Sequence, residues 1–219
     1  MLHPPTDGNK LRHLIQPPDY LTICLKATMM PLPARLLQDP FLAATAASAA
    51  GIPLVFAAIF YLEYSVGLAP CPLCLLQRMP IALIGILSAL TLGYTAWRTQ
   101  LFKQLAAPIP SSFGRIALAI TNSTFAAIGL ALAGRHLWLQ NLPPGQIPSC
   151  GPDIDTLFRM LPIMDAFAVI LQGDGNCAQV QWTLLTLSIP GWSAIAFGLL
   201  LLIWLYVLVQ TAYQLLKKG

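Results

Sequence analysis

Four long apolar stretches decide most of what this 219-residue chain can become. They run over about residues 41–62, 72–97, 116–139 and 192–210. Each is near the ~20 residues an α-helix needs to cross the hydrocarbon core of a bilayer. In lipid, backbone N–H and C=O groups must be paired within the protein, which leaves helices or closed barrels as spanning structures. Runs this long and this apolar read as helices. Charged residues make up 9% of the chain and hydrophobic ones 57%, against about 25% charged in a soluble domain. The expectation is an all-α membrane protein, a four-transmembrane-helix bundle. Despite a net charge of +4, nucleic acid is a poor partner for so apolar a chain.

Local signals refine the spans. Asp39-Pro40 reads as an N-cap followed by proline at the first helical position. Pro80 removes the helical partner of the Leu76 carbonyl, so a kink is expected in the second span. Thr121, Asn122, Ser123 and Thr124, in the middle of the third, read as hydrogen bonds to neighbouring helices. Residues 1–38 are polar, proline-rich and weakly basic, and are expected to be a cytoplasmic tail ahead of one membrane domain over 39–219. No cleaved signal peptide is read there, because the first apolar run continues well past a short h-region. Met29 and Met30 stand just before the first span and offer a later natural start.

Charge orients the spans. The tail, the connection holding Arg98, Lys103 and Arg115, and the C-terminus carry nine of the twelve Lys and Arg. Positive residues stay on the cytoplasmic side, so both termini are expected inside and two loops outside. Trp97, Trp138 and Trp192 fall at span ends, where an interfacial aromatic belt belongs.

This topology sorts the five cysteines. Cys71, Cys74, Cys150 and Cys177 fall outside, where disulfides persist. Cys24 falls inside, alone, and reads as an inert thiol. The four outer cysteines allow three pairings; Cys71 with Cys74 is the local one, leaving Cys150 with Cys177 across the loop of about residues 140–191. Cys71-Pro72-Leu73-Cys74 opens the second span, with Pro72 suited to the first helical turn. Cys71 then sits at the N-cap and Cys74 one turn in, near unpaired N–H groups and the positive end of the helix dipole, which favour thiolate. Arg78, four residues beyond Cys74, shares its helix face. CxxC by itself is a weak signal used by metal, haem and redox sites. No His follows Cys74, which removes c-type haem attachment.

The ordered motifs resemble the bacterial disulfide bond formation protein B (DsbB) family. They are Tyr61-Leu62, Pro70-Cys71-Pro72-Leu73-Cys74 with Gln77-Arg78, and Arg135-His136-Leu137-Trp138-Leu139-Gln140. Pro148-Ser149-Cys150-Gly151-Pro152, Gly175-Asn176-Cys177 through Gln181-Trp182, and Ile189-Pro190-Gly191-Trp192 complete the set, which covers about residues 41–210. The N-terminal tail is longer than is usual in the family. The resemblance implies a quinone-dependent thiol oxidase of the bacterial inner membrane, its active cysteines facing the periplasm. It implies that Cys150 and Cys177 accept electrons from a periplasmic DsbA-like, thioredoxin-fold oxidase, with Cys150 the point of attack. By the same resemblance Cys71 and Cys74 would receive them by thiol–disulfide exchange, and Cys74 would reduce ubiquinone or menaquinone. Arg78 would stabilise the thiolate and the charge developing on the quinone oxygen, and His136 would be a second quinone contact.

Plainer readings stand beside these. Cys150–Cys177 could be a structural staple, Arg78 a snorkelling interfacial cation, and His136 an interfacial residue. Gln77 reads as packing or a hydrogen bond, and Glu63 and Asp174 as solvated loop charges. Gly145, Gly151, Gly173 and Gly175 could lend the loop freedom to move. Residues 157–171 could lie flat in the interface, although Pro162 argues against one unbroken helix. A vitamin K epoxide reductase-like enzyme would place its CxxC after the loop pair, the reverse of the order here. Soft-metal binding or transport through CxxC would call for acidic or Met ligands along a path, and no acidic residue lies inside an expected span. No metal ligand is assigned.

Overall fold

The computed structural model describes residues 39–101, 112–146, 149, 151 and 154–217. The N-terminal tail with Cys24, and Cys150, lie outside the described residues. Four long helices dominate: α1 (Pro40–Tyr64), α2 (Pro72–Leu101), α3 (Ser112–Gln140) and α7 (Ile189–Leu216). Between α3 and α7 come a single 3₁₀ turn (Pro144–Gln146), α4 (Ile154–Met160), α5 (Ile163–Gln172), the one-turn α6 (Gly175–Ala178) and a hairpin of β1 (Thr183–Leu184) with β2 (Leu187–Ser188). The hairpin is antiparallel, pairing Thr183 with Ser188 and Leu184 with Leu187.

The long helices extend past the apolar runs, most visibly α3, which starts at Ser112 rather than near 116, and α7, which ends at Leu216 rather than 210, while α2 starts at Pro72 as expected. A helix end can carry polar side chains into the interface while its backbone ladder continues, so apolarity underestimates helix length. Asp39 is the N-cap of α1, its Oδ1 accepting from the Phe41 N–H at 3.1 Å, with Pro40 in the first turn. The Arg115 guanidinium pairs with the same carboxylate and lies 4.6 Å over the Phe41 ring, tying the start of α1 to the start of α3. Helix α2 continues through Pro80 to Leu101.

The helices close into a ring in the order α1–α2–α3–α7, with α3 against α7 the most extensive contact. Their core forms three layers. Phe41, Leu42, Ala119, Trp204 and Val207 pack at the end where α1 begins and α7 finishes. Ile52, Ile81, Ile84, Ala126 and Phe197 fill the middle. There Gly129 admits the Phe197 ring so closely that a Cβ would collide with it. Cys71, Leu73, Leu132, Leu139 and Cys177 form the third layer, at the opposite end. Outside this core the helices are bare: only 17% of the most apolar window of α7 is buried within the chain. Water would penalise that surface, by about 25 cal/mol per Å², and lipid does not. The chain is a multi-pass membrane protein.

One sequence expectation changes here and another is met. The hydroxyls of Thr121 and Thr124 bond back to Ala117 O and Ile120 O of their own helix, each at 2.9 Å. Asn122 and Ser123 are buried, with no hydrogen bond to a neighbouring helix among the described residues. The segment 157–171 divides at Leu161-Pro162 into α4 and α5, since proline cannot continue the ladder. On the second of these, Ala166 and Ile170 face inward while Ile163, Met164 and Leu171 are exposed, an amphipathic pattern.

Candidate active site

Cys71 immediately precedes α2 and caps it. Its carbonyl accepts from Leu75 N at 3.2 Å, and its Sγ accepts from Cys74 N at 3.3 Å. The sulfur thus takes the place of the Ser or Asp oxygen that usually satisfies an N3 amide. The expected helix-mouth geometry is present, with one change: the free amide serves Cys71 Sγ rather than Cys74 Sγ. The two sulfurs lie 2.9 Å apart, and among the described residues Cys71, Cys74 and Cys177 form no disulfide.

His136, on the last turns of α3, is buried among these sulfurs. Its Nε2 lies 3.7 Å from Cys71 Sγ and its Nδ1 3.9 Å from Cys74 Sγ. The ring is held by the Cys177 carbonyl, 3.1 Å from Nε2, and by Gln77 Nε2, 3.5 Å from Nδ1. The tautomer protonated at Nε2 satisfies both partners at once, donating to the carbonyl and accepting from the amide. Gln77 is buried and makes the hydrogen bond that was one of its two expected roles.

Cys177 comes from α6 and is fully buried. Its Sγ, Cys71 Sγ and a ring nitrogen of His136 all lie within 4.8 Å of one another. The neighbouring Cys71 sulfur and burial push the Cys177 thiol above the ordinary range, because an anion there would be both crowded and desolvated. Asp174 caps α6, Oδ1 accepting from Cys177 N at 3.1 Å. It is buried rather than a solvated loop charge, and an Asp three residues before a buried Cys is the N-cap signal that could have revealed it. The residues either side of Cys150 also reach this turn: Ser149 O accepts from Gly175 N at 3.3 Å, and Gly151 lies against the Asp174 side chain.

Gly173 does not act as a loosener. It ends α5 at φ 77° and ψ 163°, and a Cβ there would strike Leu139 and lie 3.3 Å from Leu73. Arg135, named in the sequence analysis only as the first residue of the Arg135–Gln140 motif, anchors the same junction. Its Nε and Nη2 donate to Leu171 O (3.4 Å) and Gln172 O (3.0 Å), the orphan carbonyls at the end of α5, and its guanidinium lies 4.2 Å over Trp138.

Arg78 shares a face of α2 with Cys74 but does not stand alone. Its Nη2 lies 2.8 Å from Glu63 Oε2 in the last turn of α1, so Glu63 too is no solvated loop charge. The signal was available: a carboxylate at a helix C-terminus opposes the dipole and calls for a nearby cation. A cavity of about 370 Å³ opens beside these groups, within the ~300–1,000 Å³ typical of small-molecule sites. Cys74, Arg78, Glu63 and His136 line it together with Trp182 of the loop and Phe197 of α7. The arrangement can do two things: exchange disulfides among three clustered sulfurs, and present one of them, with a cation, to an apolar molecule.

Comparison with known proteins agrees. The family profile of disulfide bond formation protein DsbB matches residues 40–207. Proteins called disulfide bond formation protein B are similar over most of the chain. That of Marinobacter nauticus is 39% identical over 156 residues, covering 71% of this chain and 84% of the relative. That of Saccharophagus degradans is 38% identical over 146 residues (67% and 79%), and that of Acinetobacter baylyi 37% over 151 residues (68% and 80%). With the cysteine cluster and the four membrane-length helices, these similarities make the chain a thiol oxidoreductase and a member of the DsbB family of disulfide bond formation proteins.

Proposed function

We propose that this protein reoxidises a periplasmic DsbA-type thiol oxidase and passes the electrons to a membrane quinone, from the bacterial inner membrane with its termini in the cytoplasm. The observation that carries the reading is the convergence of three sulfurs, two of which, Cys71 and Cys74, line a cavity whose wall also holds Arg78. In the proposed relay, the two thiols of the reduced partner become its disulfide as the Cys150–Cys177 disulfide becomes two thiols. Cys177 then attacks Cys71 of an oxidised Cys71–Cys74 pair, releasing Cys74 as thiolate; proximity favours this sulfur, since Cys177 packs against Cys71. Cys150 thiolate displaces Cys71 from Cys177, which restores the loop disulfide and leaves Cys71 and Cys74 reduced. A quinone held beside Cys74 would supply the sink: return of the Cys71 and Cys74 thiols to their disulfide releases two electrons and two protons, which would leave with it as quinol.

Arg78 serves as the fixed cation beside Cys74 and the ring oxygen, worth most in a water-poor site. His136 contacts both Cys71 and Cys74 and the cavity, so it serves the sulfurs as well as the ring. A sink is needed because a DsbA-type disulfide is already strongly oxidising, at about −120 mV, and an ordinary protein disulfide does not reoxidise it. Family membership does not favour soft-metal transport as the function, although Cys71, Cys177 and His136 are close enough to share a cation.

The test is quinone reduction by purified protein supplied with reduced DsbA-type protein. Cys74→Ala should abolish turnover, and Arg78→Met should raise the quinone KM by about tenfold or more. Full turnover in Cys74→Ala would remove the reading.

A further inference from the structure

Among the described residues lining the cavity, Glu63 is the one carboxylate and Arg78 the one guanidinium, and they face one another at 2.8 Å. Both side chains are largely withdrawn from solvent, at 22% and 20% exposed. We propose that Glu63 is a specificity-determining residue: its ion pair with Arg78 makes the cavity accept uncharged rings and turn away anionic ones. This rests on the quinone reading above and adds to it the charge class of molecule admitted.

The physical argument starts from Arg78 alone. An unpaired guanidinium on an apolar wall is a strong trap for amphiphilic anions, because carboxylates and ring oxyanions take its parallel N–H groups in charge-assisted pairs. Low local dielectric strengthens that attraction. A fatty-acid carboxylate or an acidic hydroxyquinone would then compete with the neutral ring. Glu63 cancels the net charge while leaving the donors: a guanidinium has five N–H groups and one carboxylate takes at most two of them in a bidentate pair. A neutral carbonyl oxygen loses little, since it needs a donor rather than a net charge. An anion loses most of its advantage and also meets the Glu63 carboxylate. The bland alternative is a tie between α1 and α2 with no bearing on ligands, and the two differ in what they predict for charge.

The experiment uses the full chain in lipid nanodiscs and two ring probes of nearly equal size. One is 2-hydroxy-1,4-naphthoquinone, an anion at neutral pH; the other is its neutral 2-methoxy ether. Binding is read by equilibrium dialysis and visible absorbance. In Glu63→Gln the anion should bind about tenfold tighter while the ether stays within about twofold of wild type. Glu63→Asp, which keeps the charge, should retain wild-type discrimination and guards against a folding artefact. In an Arg78→Gln background the effect of Glu63→Gln should vanish. Both probes shifting together, or an anion gain that persists without Arg78, would overturn the proposal. A wild type that binds no ether would overturn the quinone reading itself, and with it this inference.

Discussion

Helix α6 holds Cys177 in place with very little structure, which makes Asp174→Ala an informative perturbation. Four residues do not form a stable helix unaided, so α6 depends on its cap and its burial. Asp174 Oδ1 accepts from Cys177 N at 3.1 Å, and Asn176 Nδ2 reaches Oδ2 at 3.4 Å. The Cys177 N–H also reaches the Asp174 backbone carbonyl at 3.1 Å, so alanine would not leave it unpaired. The loss is therefore that of a cap, about 0.5–2 kcal/mol, rather than the larger cost of an orphaned buried donor. A value near 1.4 kcal/mol corresponds to about a tenfold shift in an equilibrium constant. Cys177 is 0% exposed, so a maleimide reaches it only when α6 lifts away. Labelling of the reduced protein, mapped by mass spectrometry of its peptides, should then be about tenfold faster at Cys177 in Asp174→Ala. Asp174→Asn removes the charge but keeps an acceptor, and should accelerate labelling by less than about threefold. An unchanged rate in the alanine variant, or equal rates in both variants, would show that capping does not hold Cys177 down.

Two more outcomes follow from the same geometry. The folded Cys177 thiol keeps its proton to higher pH than the unfolded chain, so its contribution to docking is complete below about pH 8.5, the ordinary thiol value, and is lost as pH rises further; Cys177 labelling in wild type should keep rising above pH 9, and a plateau there would contradict the raised value. Gly173→Ala places a side chain in a backbone region open almost only to glycine, a cost of about 1–3 kcal/mol, and against Leu139 and Leu73; hydrogen exchange across α5 and α6 should rise by about tenfold, and unchanged protection would show that the junction has room.

Much of the architecture is readable from composition, because the bilayer imposes a length and an apolarity that few chains meet by chance. Asp39-Pro40, Pro72 and the break at Pro162 mark helix boundaries through local backbone chemistry, and all three act where they stand in the chain. Cys71, Cys74 and Arg78 are likewise legible, since residues three and four apart on a helix share a face whatever surrounds them. What local spacing cannot carry is the meeting of residues far apart in sequence. His136 reaches Cys71 across 65 positions and Cys177 across 41. Glu63 finds Arg78 only because α1 and α2 pack side by side.

The sequence by itself determined the class, the four spans and the placing of Cys71, Cys74 and Arg78 together at one helix mouth, because those depend on hydrophobic length and near-neighbour helical geometry. Only the tertiary structure decided which sulfur Cys177 rests against, that Arg78 is paired, and that Asp174, Arg135 and Gly173 hold the turn that carries Cys177. Burial and pairing are properties of packed surfaces, and a polar residue in a connecting segment looks the same in sequence whether its partner is water or a neighbouring helix.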